Sequence, residues 1–456
     1  MAEELDTPTL GWDARVGAAG SLRAAPATAS ALLASAAPAR PRGWRDSPGA
    51  EDPFNIAVTG WAVVCLRSDR EDAAEALAPL IAHRAARGEA WRGYDGELGL
   101  IAVDPPSPAR PSSLAEQILE RSTAPPRHLL LLGGPDRFPF EAQFDLDRDF
   151  VTGRLDCGLT AALDWEGCRR YARRVARYES GKLPTEGALL FSPQQDAPTR
   201  LSHDRLAAPL ASHRAVADRS LRQLSGDLAH TTSLTEALQA ARGPTLVFAA
   251  SHGVEFPAEP SDWGAITGAG GGWVGAGALD PERPFASGSV IICPACFTAG
   301  VPARSAESFF RERARVAVPG GPFSAPLPRA LLAHELGPVA FIGHVDRLTT
   351  ASVAGSPRTP GARPFMDLLS WFLEEGQTLG RGMRSFREWY LLEAAAAAAR
   401  TERTMLSGRP LSSRWEVWLR AADWRGYLLL GDPGLRRPTP GPLRQLWGRS
   451  RRLLGR

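Results

Sequence analysis

TLVFAASHG (245–253) and SVIICPACFTAG (289–300) decide how this chain is read. Each stretch is an unbroken apolar run followed at once by polar and small residues. LVFAA and VIIC do not alternate, as expected of central parallel strands covered on both faces. Ser251-His252-Gly253 and Pro294 to Gly300 then fall just beyond the carboxyl ends of the two strands, where open parallel sheets collect functional groups. His252 and Cys296 are 44 residues apart, room for a loop, a crossover and the next strand. Adjacent parallel strands would bring imidazole and thiol to one edge.

Outward from this pair the pattern repeats. Strand-sized apolar runs occur at 61–66, 99–103, 128–134 and 187–192, and again at 338–343 and 427–433. Between them, residues 72–87, 112–122, 164–181, 233–241 and 327–336 carry apolar positions at helical spacing. The fold class is therefore α/β, a mostly parallel sheet flanked by helices, in two successive α/β subdomains. The expected division is a flexible Ala/Pro-rich segment at 1–50, an N-terminal α/β subdomain at 51–182, a catalytic subdomain at 183–437 and a basic tail at 438–456. The Gly-rich stretch 264–278 reads as a loop, 365–422 as a helical region and the GDP at 431–433 as a turn.

Composition narrows the class. The 456 residues are 44% hydrophobic and 23% charged, which excludes a wholly disordered or collagen-like chain. A net charge of +3 is too small to support nucleic-acid binding. Five tail arginines supply that surplus, so residues 1–437 sum to −2. Leu443, Leu446, Trp447, Leu453 and Leu454 lie among those arginines, and the tail is a candidate for weak contact with a membrane or acidic surface. Five cysteines in so long a chain make no disulfide framework. The first residues lack the basic and apolar regions of a secretory signal, and a cytoplasmic protein is expected.

The chemistry asks for the His252 and Cys296 pair. A thiol is a strong nucleophile only as thiolate, which a neighbouring imidazolium favours. The same imidazole can protonate a leaving amine. The N–H groups of Gly253 and Cys296 are candidates for an oxyanion hole, Gly253 because it has no side chain to hold a carbonyl away. Cys293 and Cys296 also form a C-x-x-C, but without a second pair a zinc site is not expected. Cys293 lies within the strand run and reads as core.

A strand followed by His-Gly and a later strand followed by Ala-Cys resemble the two-part signature of caspase-like cysteine peptidases, above all the gingipain-like and CHAT-domain branch. PACFTAG departs from the caspase Q-A-C-x-G form, with Pro294 in place of Gln. HLLLLGGPDRFPF (128–140), FVTGRLDCG (150–158), RRYARRVARYE (169–179), GPVAFIGHVD (337–346) and YLLLGDPGLR (427–436) resemble further segments of the gingipain-like enzymes. The resemblance implies a caspase–hemoglobinase fold and hydrolysis of protein substrates through an acyl-enzyme on Cys296, with His252 as its partner. It further implies a substrate pocket in which Asp346 selects a basic residue, with His344 lining the same cleft. Asp262 is a candidate to orient the imidazole, and arginines in the loops at 302–325 and 353–364 are candidate self-cleavage points. No cofactor is expected, with a calcium requirement left open. A protein or peptide substrate and an activating protein partner are the expected partners, in a regulated stress or defence effector. The alternative is a catalytically inactive caspase-like interaction module.

Overall fold

The computed structural model describes residues 5–24, 54–94, 96–106, 113–121, 124–158, 162–183, 185–240, 242–303, 305, 321–355, 360–374, 376–406 and 416–438. Its centre is a ten-stranded sheet. The N-terminal half contributes β3 (Trp61–Leu66), β4 (Leu100–Val103), β5 (His128–Leu132) and β6 (Val151–Leu155). The second half contributes β7 (Ala188–Ser192), β8 (Leu221–Ser225), β9 (Leu246–Ala249), β13 (Val290–Cys293), β16 (Ala340–His344) and β17 (Tyr427–Gly431). Spatial order is β4-β3-β5-β6-β17-β16-β13-β9-β7-β8. Every neighbouring pair is parallel except β16 and β17, which run antiparallel. The sheet is thus two parallel five-stranded halves pointing opposite ways. The last strand in sequence closes the first half-sheet, and β16, β13, β9, β7 and β8 all end at the same edge.

The apolar runs make such strands because both faces are covered. Val63, Cys65, Leu130 and Leu132 belong to the large core cluster, whereas Ala62, Val64, Leu129 and Leu131 belong to a smaller one. Successive side chains point to opposite faces, so a strand buried on both sides needs an apolar residue at every position. Helices Arg70–Ala86 and Trp165–Glu179 pack together on one face of the N-terminal half, and Ser113–Glu120 covers the other. The helix Trp165–Glu179 starts where the Asp164 side chain accepts the Gly167 N–H.

A second sheet has the order β12-β11-β10-β1-β2. It is built from β1 (Leu5–Asp13), β2 (Ala18–Ala24), β10 (Gly253–Glu255), β11 (Ile266–Thr267) and β12 (Trp273–Val274). A small hairpin of β14 (Gly300–Val301) and β15 (Phe323–Ser324) follows the segment after β13. Here the structure departs from the sequence reading, which has residues 1–50 as mostly flexible. Residues 5–24 form an antiparallel hairpin, its turn closed by Gly17 at φ 65°. Pro8 and Gly11 break any strand pattern in LDTPTLGWD, which is a strand because β10 offers an edge that pairs with Gly11, Trp12 and Asp13. The flexible reading of 25–53, the basic tail from 439 onward and the loop arginines Arg311, Arg313, Arg315 and Arg358 lie outside the described residues. Among the described residues no helix is long and apolar enough to cross a membrane.

Candidate active site

β9 and β13 are hydrogen-bonded neighbours, so the segments that follow them emerge side by side. After β9 the chain is tied down by Ser251, whose hydroxyl donates to the Thr267 carbonyl at 2.6 Å. His252 comes next and leads straight into β10. After β13, Thr298 holds the turn that carries Cys296. Its hydroxyl is 3.0 Å from the carbonyls of Cys293 and Ala295 and accepts the His344 N–H at 3.1 Å. Phe297 takes a positive φ of 58°, and its N–H donates to the Asp346 carbonyl at 2.8 Å. The turn is therefore braced on the end of β16. A Cβ on Gly253 would fall 1.8 Å from the Cys296 carbonyl oxygen, so only glycine allows the two segments to meet.

His252 is wholly buried, and its Nε2 lies 2.6 Å from Asp196 Oδ2. Asp196 caps the helix Ala197–Ser202. Its Oδ1 accepts the Thr199 N–H at 2.9 Å and the Thr199 hydroxyl at 2.5 Å, leaving Oδ2 for the imidazole. Burial pushes the Asp196 carboxyl up, but the hydrogen bond and charge of His252, aided by Thr199, outweigh it and hold the group at about 2. His252 Nδ1 is buried without a hydrogen-bond partner, and the Trp12 ring stands 6.1 Å from the imidazole, centroid to centroid. Asp262 is not the residue that orients His252, because Asp196 fills that place.

Cys296 is also wholly buried. Its Sγ accepts the Leu348 N–H at 3.0 Å, and its own N–H donates to the Leu10 carbonyl at 3.1 Å. The Glu255 carboxyl, buried and paired with Arg347 Nε at 2.9 Å, brings its negative charge to bear on the thiol. Burial, with the charge of Glu255 second, raises the thiol well above its ordinary range. Cys293 is raised by burial as well, in keeping with a core residue.

The two pocket candidates behave differently. Asp346 sits beside the nucleophile turn at a positive φ of 86° and 6% exposure, with its Oδ1 accepting the Ser305 hydroxyl at 2.7 Å and the Arg347 N–H at 2.8 Å. His344 is a buried strut, with Nδ1 3.1 Å from the Asp346 carbonyl and Nε2 3.0 Å from the Asp423 carbonyl. Burial lowers its pKa to about 4 against the two backbone hydrogen bonds, which raise it. Among the described residues no cluster of His, Cys, Asp and Glu has the arrangement of a metal site.

No family model matches this chain, and no curated protein does either. Solved structures do. The Arg-specific cysteine proteinase gingipain R matches over 83% of this chain and 78% of its own, at 13% identity and a TM-score of 0.50. The fold is gingipain-like. The complex of the pro- and mature domains of Porphyromonas gingivalis RgpB is similar at 12% identity and a TM-score of 0.49, over 83% of this chain and 80% of its own. At such identities the likeness is one of fold. The large, mostly parallel sheet with its helical layers is consistent with the caspase–hemoglobinase-like architecture of gingipain R.

Proposed function

We propose that the chain is a cysteine endopeptidase acting on protein substrates, with Cys296 as nucleophile, His252 as its proton partner and Asp196 as the residue that positions His252. The observation that supports this most is the convergence of three strand ends. Asp196 follows β7, His252 follows β9 and Cys296 follows β13, three neighbouring strands of one parallel sheet. The Cys296 N–H already carries a peptide carbonyl at 3.1 Å, the contact an oxyanion would need, and Gly253 packs against the same residue. In the reaction the thiolate attacks the scissile carbonyl carbon, the leaving amine takes a proton from the imidazolium, and water then hydrolyses the thioester.

Asp346 is the group on which a preference for a basic residue would rest. Its engagement with Ser305 and Arg347 means that it does not by itself select one. The buried thiol beside Glu255 supports a second reading, an inactive interaction module. Covalent labelling separates the two. The peptidase reading expects an electrophilic peptide to modify Cys296 in the wild type under reducing conditions, with or without calcium, and not in Cys296→Ala. An unlabelled Cys296 under all of these conditions, even after the cleft has been opened by substitution, leaves the inactive module.

A further inference from the structure

β1 runs past Cys296 as a strand and changes partner at one peptide bond. On its N-terminal side Thr9 bridges Thr349 in antiparallel sense, and the Leu10 N–H donates to the Leu348 carbonyl at 2.9 Å. The Leu10 carbonyl accepts the Cys296 N–H at 3.1 Å. From Gly11 the strand runs parallel to β10, pairing Gly11, Trp12 and Asp13 with Gly253, Val254 and Glu255. A strand added along an enzyme's edge with one carbonyl on the nucleophile's own N–H is how a peptidase holds a substrate.

The side chains on either side of that bond are equally constrained. Leu10 is wholly buried within the hydrophobic core cluster. Gly11 faces the Glu255 carboxyl, and a Cβ there would fall 1.6 Å from Oε1 and 2.4 Å from Cδ. Glu255 is 1% exposed and pinned by Arg347, so it cannot simply swing away.

We propose that β1 is a built-in substrate strand whose Leu10–Gly11 peptide occupies the place of the scissile bond. The site therefore selects a leucine before the bond and a glycine after it, and it stays closed while β1 remains seated. This rests on the peptidase reading. The reaction balances without a further reagent. In a substrate seated in the place of β1, the Cys296 sulfur bonds to the carbonyl carbon of the leucine, the C–N bond to the glycine breaks, and the glycine amine leaves with the proton taken from the thiol through His252. Water then replaces sulfur on the acyl carbon and returns a proton to the thiol.

The test uses the full-length wild type, Gly11→Ala and Leu10→Asp, each checked by circular dichroism. Gly11→Ala collides with Glu255, and Leu10→Asp places a charge in an apolar site, so either change unseats β1. Alkylation of Cys296 by iodoacetamide, followed at the Cys296 peptide by mass spectrometry, is expected to be at least tenfold faster in both variants. The same variants, offered a peptide library and the peptide TLGWDA, are expected to cut between Leu and Gly and to prefer leucine over arginine or lysine at least tenfold. Unchanged alkylation in two folded variants overturns the closure. Hydrolysis after Arg or Lys, or without a leucine preference, overturns the specificity and leaves the peptidase reading standing. Free alkylation with no hydrolysis of any peptide sinks the peptidase reading, and the proposed specificity with it.

Discussion

Asp196 divides its two carboxylate oxygens between a helix cap and an imidazole, so one side chain anchors a local turn and the proposed proton carrier together. Held at about 2, it remains an anion throughout the range in which a peptidase works. Asp196→Asn keeps a capping side chain but removes the charge, which disfavours the imidazolium. The expected outcome is a fall in kcat/KM of about 10–10³-fold, with the alkaline limb of the pH profile moving to lower pH. Asp196→Glu should restore the limb in part. A wild-type profile in Asp196→Asn would show that the pair is only structural. Asp196 was legible in principle, since Asp-Ala-Pro-Thr at 196–199 is a helix-start signal just past a strand of the same sheet. Its role was not, because nothing local says which of several aspartates lies beside His252. Asp262 is nearer in sequence and Asp196 is nearer in space. Glu255 was hidden for the same reason, since only tertiary packing brings its carboxyl to the thiol.

At the scale of elements, the sequence reveals the strands whose two faces are both buried and loses those that depend on a neighbour. All eight apolar runs form strands. β8 was missed because only Leu224 of LRQLS is buried, as befits an edge. β6 was missed because Arg154 sits within it, fully buried, with its guanidinium satisfied by Gln143 and the carbonyls of Gly133 and Phe138. β1 escapes a sequence reading because, beyond its hairpin partner β2, the edges it pairs with are 240 residues and more away. The helix Glu416–Gly426 shows what such remote pairing costs. Its Asp423 holds the edge on which β1 rests, with Oδ2 accepting the Thr349 hydroxyl at 2.7 Å. Burial, opposed by hydrogen bonds from Thr349 and Ser352, raises this carboxyl to about 7. A carboxyl whose pKa is raised on folding binds more protons in the folded state between its unfolded value near 3.8 and about 7. Its contribution to stability therefore falls as pH rises through that window. Asp423→Asn removes the titration, so the variant should gain on the order of 3 kcal/mol relative to wild type between pH 4 and pH 7. Urea midpoints across that range check this, and parallel pH curves for the two proteins would refute it.

At the scale of the whole molecule, two opposed half-sheets must be held in one register, and the GDP turn after β17 is where they are joined. Asp432 accepts Trp61 Nε1 at 2.8 Å and Arg84 Nη2 at 2.5 Å, while its N–H donates to the Tyr171 hydroxyl at 2.6 Å. Tyr171 in turn donates to the Val339 carbonyl at the start of β16. Arg84, with no exposed surface, also pairs with Glu179 at 2.6 Å and Glu89 at 3.2 Å. One guanidinium thus bridges three buried carboxylates drawn from the first and the last segments of the fold. Ion pairs of this kind add little net stability when compared with apolar packing, but removing one partner leaves charges stranded out of water. Arg84→Met should therefore destabilise the chain by about 3–5 kcal/mol, read as a lower urea midpoint. Arg67→Ala, which breaks an exposed pair with Asp104, should leave the urea midpoint almost unchanged. The loss in Arg84→Met should also grow with pH above 4, because Glu179, which Arg84 keeps below its ordinary value against the effect of burial, then carries an uncompensated charge. Equal losses in the two variants, or a loss in Arg84→Met that does not depend on pH, would mean that packing around the turn, and not this charge cluster, holds the second half in register with the first.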